Sequence, residues 1–334
     1  MTSSTVVHAK GWERTPLKRL IRSMGGAGAV AAAFLILISV LALLSPILPW
    51  DPTTQNLSLR LAPPFSFGEG WQYILGGDQL GRSVAARLIA GARVTLLIGI
   101  STALLAMIIG VALGVAAGVL RGWFEAVVLR IIDVWMSLPL LVIALVVLYA
   151  TGPGTWKVVL ILALLRWVTF ARVSRALTLS IRERQFFDAA RATGCSTPRI
   201  IFRHVVPNLR WDILVIATLE VAHAMLSEAA LSFLGLGVQP PDSSWGTMLA
   251  SARPYLGTSP WLIFLPGLAI LATTLSINLL VNGIRSQTKS STRGTAWSGA
   301  MSAFTGRKSL DSTNAGLGIG ATRRPQLLPF KIRR

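Results

Sequence analysis

The chain has 334 residues, 53% hydrophobic and 13% charged, with a formal net charge of +19. A soluble globular chain carries about 25% charged residues, so this composition argues against an ordinary soluble fold and for a polytopic membrane bundle. The lone Cys195 excludes an internal disulfide and a cysteine metal cluster, and His8, His204 and His223 are too scattered to suggest a metal site.

The first 26 residues carry Lys10, Arg14, Lys18, Arg19 and Arg22 against Glu13. Six apolar segments follow, at 27–48, 93–120, 127–150, 158–174, 211–232 and 261–284. Each is long enough, or nearly so, to cross a bilayer, which needs roughly 20 mostly apolar residues. The first has a long basic flank and runs into "SPILPWDP" with no small-residue cleavage site, so it reads as an uncleaved span. In the second, Gly110, Gly114 and Gly118 form a small-residue stripe for close helix packing. Pro139 is expected to kink the third. The fourth is short and carries Arg166 and Arg172.

The segment 175–210 holds seven arginines against Glu183 and Asp188, and the tail after 284 holds ten basic residues against Asp311. Positive charge at both ends and in this internal stretch follows the positive-inside pattern. It predicts both termini, 121–126 and 175–210 in the cytoplasm, with 49–92, 151–157 and 233–260 outward. Orientation by charge is preferred here over nucleic-acid binding. Residues 289–334 are rich in Ser, Thr, Gly, Arg and Pro and are expected to be a disordered cytoplasmic tail, leaving 27–288 as the membrane domain. No phosphate-binding G-x-x-x-x-G-K-[ST] pattern and no nucleophile–base pair is present. Active transport by this chain therefore needs a partner to supply the energy.

Within the basic stretch, "RQFFDAARAT" predicts a short helix stopping at Gly194. A second helix is expected with Thr197 as N-cap and Pro198 in its first turn, limited by Pro207. Ala189, Ala190 and Ala192 offer a low surface with Phe186 and Phe187 as apolar knobs beside it, a shape suited to a groove on a partner. A solvated loop that only fixes orientation is the plainer alternative. In the fifth span Glu220, His223 and Ser227 share one face at mid-membrane depth. They read either as a translocation-path site or as a buried pair, Glu220–His223 or Glu–Arg, holding the bundle.

Asp188-Ala189-Ala190-x-x-x-Gly194, with Val206-Pro207 further on, resembles the EAA loop of binding-protein-dependent ABC importer permeases, with Asp188 in place of the usual glutamate. Three further stretches resemble the dipeptide, oligopeptide and nickel branch: "LPWDPTTQNL" at 48–57, "LGGDQLGRSVAARLIAGARVTLLIG" at 75–99 and "SEAALSFLGLGVQPPDSSWGTMLA" at 227–250. The resemblance covers roughly residues 28 to 288. It implies an all-α type I importer permease fold with six transmembrane helices, in a bacterial inner membrane. It assigns ATPase coupling to a helix in 181–207, with Phe186, Phe187, Asp188, Ala189, Ala190, Gly194 and Pro207. The matched outer-loop positions are Asp78, Gly81, Arg82, Arg87, Glu228, Gly235, Gly237, Pro240, Trp245 and Gly246; Arg93 is a further family-like position near the outer surface, and gate pairing and lipid-headgroup contact are both open for Arg82, Arg87 and Arg93.

The partners implied are a second homologous permease subunit, two ATP-binding subunits, an extracytoplasmic solute-binding protein and the lipid bilayer. No cofactor is expected on this chain, with ATP and Mg bound by the partner subunits, and no catalytic role is expected for it. Dipeptides, oligopeptides, nickel chelates and some glycosides are handled by chains with similar motifs. A scaffold without a solute path and an ion-coupled transporter are the rivals; the latter calls for an acidic relay and inverted repeats, neither of which is visible in the sequence.

Overall fold

A computed structural model describes residues 25–66 and 70–283. Most of the basic N-terminal segment and the tail at 289–334 lie outside the described residues. Among the described residues the helices run in order α1 Gly25–Leu44, α2 Val84–Leu120, α3 Gly122–Met136, α4 Leu140–Thr151, α5 Thr155–Arg182, α6 Gln185–Ala192, α7 Thr197–Phe233, α8 Trp245–Ala252 and α9 Trp261–Gly283. Among the described residues α1, α2, α7 and α9 are long and apolar enough to cross a membrane. The pair α3–α4, bent by 84°, is long and apolar enough only when taken together, as a broken span or a re-entrant loop. The bend falls at Pro139, whose ring and missing N–H break the helical ladder there.

The fourth apolar segment, within α5, belongs to a helix of 28 residues, enough for about 42 Å at 1.5 Å per residue. It fails on apolarity because it carries Lys157, Arg166, Arg172, Arg175 and Arg182. Each of these is partnered. Arg166 reaches Glu220, Arg175 reaches Glu125 through Nε at 2.8 Å, and Arg182 donates to the Val119 carbonyl at 3.0 Å. Arg172 lies against the Met136 sulfur, and Lys157 donates to the Thr151 and Gly152 carbonyls. Arg166, Arg175 and Arg182 are half-buried and satisfied within the bundle, while Lys157 and Arg172 are exposed.

Two helices begin earlier than their apolar runs. α2 gains Val84–Ala92 ahead of its apolar run, capped by Ser83, whose Oγ accepts from the Ala86 N–H at 3.1 Å. α7 absorbs the expected second helix of the basic stretch. Its N-cap is Ser196, not Thr197, and Pro207 does not end it. A π turn over Ile201–Val205 lies immediately before Pro207, with the Val206 N–H bonded to the Ile201 carbonyl. This wider turn re-routes the backbone ladder just where Pro207 has no N–H to offer, and the Asn208 side chain donates to the His204 carbonyl at 2.6 Å. The helix therefore passes through the proline.

α2 is the centre of the bundle, packed along α5 and α7 and touching α1, α3 and α8. The expected glycine stripe lies on the α5 side. A side chain on Gly110 would overlap the Trp167 carbonyl and Phe170, one on Gly114 would overlap Ser174 and Ala171, and one on Gly118 would crowd Thr178. One apolar cluster at the α8 end joins Val84, Ala92, Met225, Trp245 and Leu262. Another at the α6 end joins Val115, Phe170, Phe187, Ile200 and Leu209. The two ends of the bundle thus have separate cores.

Candidate functional site

At the α8 end, the buried Asp78 organises the turn ahead of α2. One carboxylate oxygen accepts from the backbone N–H groups of Leu80 at 2.8 Å and Arg82 at 2.9 Å. The other accepts from Arg82 Nε at 2.7 Å and from Arg87 Nη1. Two guanidinium groups on one buried carboxylate leave it fully compensated. Arg87 also donates through Nη2 to Ser243 Oγ at 3.3 Å, tying this turn to the segment ahead of α8. Gly81 has φ of +69°, and a side chain there would run into the Asn56 carbonyl, so the position requires glycine twice over. In the preceding loop, hydrogen bonds from Thr53, side chain then backbone, and from Thr54 hold the Asp51 carboxyl below its usual pKa.

The second outer motif is built around Glu228, which is fully buried on α7. Its Oε1 accepts from Ser232 Oγ at 2.6 Å and Ser244 Oγ at 2.7 Å. Ser244 also caps α8 reciprocally with Thr247. Trp245, fully buried, donates through Nε1 to the Leu88 carbonyl at 2.9 Å, and its backbone N–H donates to Thr95 Oγ1 at 3.2 Å. Gly246 packs against Ala229 and Ser232, and Gly237 against Ser232, too closely for a side chain. α7 ends in a Schellman turn. Gly235 stands at φ +85°, its N–H bonds to the Ser232 carbonyl, and the Leu236 N–H bonds to the Leu231 carbonyl. Pro240 lies exposed in the loop beyond. The structure therefore joins the two separated outer motifs through Arg87–Ser243 and Trp245–Leu88.

Midway along α7, Glu220 is buried. Its Oε2 lies 3.1 Å from Arg166 Nη1 on α5. Arg166 Nη2 donates to Ser227 Oγ at 2.9 Å, and Ser227 Oγ donates to the His223 carbonyl. His223 Nδ1 is 3.7 Å from Glu220 Oε1, and its ring is exposed on the outer surface of the helix. The three expected residues are brought together, with Arg166 as the link between α5 and α7. Of the two readings of this face, the geometry is that of a buried Glu–Arg pair, and only His223 presents its side chain to the surroundings. The clue to Arg166 was its isolation as a cation in mid-span, which requires an anionic partner. Ser232 had a clue of its own, the four-residue step from Glu228. The Glu125–Arg175 pair gave no local sign, its members lying on different helices.

At the α6 end, the short helix closes as expected. Gly194 has φ of +79°, and the Cys195 N–H bonds to the Ala190 carbonyl at 3.1 Å, the long bond of a Schellman turn. Asp188 and Ala189 are exposed and Ala190 is half-buried. Phe187 corrects the expectation of two apolar knobs. Its ring is 1% exposed and packs into the core of the α6 end with Ile200, Val205 and Leu209. It anchors α6 to α7 because an eight-residue helix cannot stand without burying one face. The Phe186 side chain lies outside the described set. Pro207 sits behind the π turn in α7, away from the exposed face of α6 in sequence.

Among the described residues no group of three or more His, Cys, Asp or Glu side chains is placed to hold a metal ion. A cleft of about 1040 Å³ is an apolar groove between α2 and the first half of α7, lined by Val111, Val115, Phe202 and Leu209 among others.

A family profile described as binding-protein-dependent transport system inner membrane component matches residues 110–289. The di/tripeptide transport system permease protein DppC of Pseudomonas aeruginosa (strain UCBPP-PA14) is 40% identical over 276 residues, covering 81% of this chain and 91% of that protein. A Brucella ovis protein provisionally named a peptide permease is 38% identical over 240 residues, covering 71% of this chain and 78% of its own length. Among solved structures, a chain of the MetNI methionine ABC transporter in inward-facing conformations aligns with a TM-score of 0.46 at 18% identity. That alignment covers 59% of this chain and 96% of that one.

Proposed function

Because the chain belongs to the family of inner-membrane components of binding-protein-dependent transport systems, it is a membrane-spanning permease subunit of an ABC importer, and we propose that its solute is a di- or oligopeptide. The observation that carries the substrate class is the 40% identity, over nine-tenths of its length, to a permease named for di- and tripeptides.

In this reading the chain pairs with a second homologous permease subunit, and two ATP-binding subunits carry the ATP and Mg. A solute-binding protein delivers peptide at the α8 end, which faces outward, while α6, 175–210 and both termini face the cytoplasm. The positive charge of the 175–210 segment supports that orientation. The exposed Asp188 and Ala189 on α6 support docking to an ATP-binding subunit. ATP-driven closure of those subunits moves α6, and through the Phe187 anchor it moves the cytoplasmic half of α7. The two permeases then rock about a shared path. His223 lines that path, while Glu220 and Ser227 hold Arg166 behind it.

Uptake by the complex reconstituted with its own binding protein tests the substrate class. Labelled dipeptides and tetrapeptides are expected to enter in an ATP-dependent manner and to be displaced by unlabelled peptide. Uptake of a nickel chelate or a glycoside with no peptide uptake would overturn the substrate class while leaving the importer intact.

A further inference from the structure

Three arginines of the family-like stretch lie at the start of α2, and the structure separates their roles. Arg82 and Arg87 are both taken by Asp78. Arg93 is exposed and makes no ion pair or hydrogen bond among the described residues. It lines a cleft of about 560 Å³ with Val94, Leu97, Trp156, Lys157 and Asp242. A second cleft of about 460 Å³ shares Arg93, Val94 and Asp242 and adds Trp50. Arg93 and Asp242 therefore stand between two adjoining clefts. Lys157 is held in place by the Thr151 and Gly152 carbonyls, which orient its charge without neutralising it. Asp242, like Arg93, is exposed and makes no ion pair among the described residues.

The surroundings are those of a membrane interface. Trp156 is exposed at the rim, and tryptophan is enriched at headgroup level. Leading away from Arg93 along α2, the exposed Leu97, Ile100, Leu104 and Ile108 form one continuous apolar stripe. The site thus offers two cations, one anion and an apolar track running into the membrane.

We propose that this cleft binds a phospholipid whose headgroup carries both a phosphate and a primary ammonium, as phosphatidylethanolamine does. Arg93 and Lys157 hold the phosphate, Asp242 accepts from the ammonium, and the acyl chains lie along the Leu97–Ile108 stripe. A free phosphate leaves Asp242 without a partner. A purely anionic lipid brings its charge beside that carboxylate. A peptide zwitterion makes no use of the apolar track. The inference depends on α2 spanning a membrane and not on the peptide reading, so either can fail alone.

The test uses the assembled complex, stripped of lipid in detergent, then exposed to phosphatidylethanolamine or to phosphatidylcholine with the same acyl chains. Retained lipid is counted by native mass spectrometry. Phosphatidylcholine has the phosphate but no N–H to donate, so retention of phosphatidylethanolamine is expected to be about tenfold greater. Arg93→Ala should lower that retention about tenfold, Arg93→Lys should restore part of it, and Asp242→Asn should bring the two lipids level. Both side chains are exposed and unpaired, so the variants are expected to fold. Equal retention of the two lipids by the wild type, or no loss with Arg93→Ala, overturns the proposal. Displacement by inorganic phosphate alone would reassign the cleft as an anion site, and displacement by dipeptide would reassign it to solute; either result also overturns it.

Discussion

The α8 end and the α6 end of this permease are built on opposite principles, although each closes a helix with the same Schellman turn. At the α8 end, Gly235 leads into a loop in which Gly237, Ser232, Glu228, Ser244 and Trp245 interlock, and Asp78 with two arginines closes the other side. At the α6 end, Gly194 leads into α7 with open space where a side chain would stand, and the described anchor of α6 is the buried Phe187. The first arrangement fixes geometry from inside the chain. The second leaves Asp188 and Ala189 exposed on α6.

The comparison is broken most severely by removing an anchor of the rigid end. Trp245→Ala deletes a fully buried ring together with its hydrogen bond to the Leu88 carbonyl, and should cost about 3–5 kcal/mol. The expected outcome is loss of assembled complex, read by thermal unfolding of the purified heteromer. A melting temperature within a degree or two of wild type would show that the α8 end is not the rigid one.

Between the two ends, Glu220→Ala leaves the Arg166 guanidinium without its carboxylate, for about 3–5 kcal/mol. Replacing both residues by leucine should recover much of that loss. His223→Ala, which removes an exposed ring, should leave assembly intact and alter uptake per assembled complex. Glu220→Gln discriminates between the two roles of that face. If the pair only holds the bundle, the variant yields less complex with an unchanged uptake rate per complex. A changed rate, or a changed preference among charged peptides, places Glu220 on the path.

A finer contrast uses two glycines of similar backbone. Gly81 at φ +69° and Gly194 at φ +79° carry the same left-handed cost for any other residue, roughly 1–2 kcal/mol. Gly81→Ala adds a collision with the Asn56 carbonyl; Gly194→Ala meets nothing within 4 Å. Gly81→Ala should therefore lower stability clearly more than Gly194→Ala, and Gly194→Asn should cost less still, since asparagine tolerates that conformation. Equal melting temperatures for the two alanine variants would contradict the packing described at the α8 end.

The amino-acid sequence made α1, α2, α7 and α9 legible because a bilayer imposes length and apolarity on a span. Pro139 announced the bend and the glycine stripe announced the α2–α5 contact for equally local reasons. What escaped was set by tertiary pairing. α2 starts at Val84 because Ser83 caps it and Asp78 neutralises Arg87, neither of which an apolar run reveals. Pro207 reads as a helix stop, and only the π turn ahead of it lets α7 continue. The core of the α6 end, not the local pattern, turned Phe187 inward. The Glu220–Arg166 pair was half visible, since a mid-span carboxylate demands a partner without naming it.

The smallest structural effect carries the sharpest functional one. Asp188 is exposed, so Asp188→Ala should move stability by no more than about 0.5 kcal/mol. The same variant should sharply reduce peptide-stimulated ATP hydrolysis by the reconstituted complex. Normal stimulation would detach α6 from coupling.

The most direct test of the asymmetry is a cross-link from Ala189, exposed on α6. In a Cys195→Ser background, Ala189→Cys should join to an ATP-binding subunit in membranes, in a yield that changes with ATP, and should escape an impermeant thiol reagent in intact cells. Leu57→Cys, exposed in the loop ahead of α2, should react with that reagent and form no such cross-link. The opposite pattern, with Ala189→Cys labelled from outside and never joined to an ATP-binding subunit, would contradict the account.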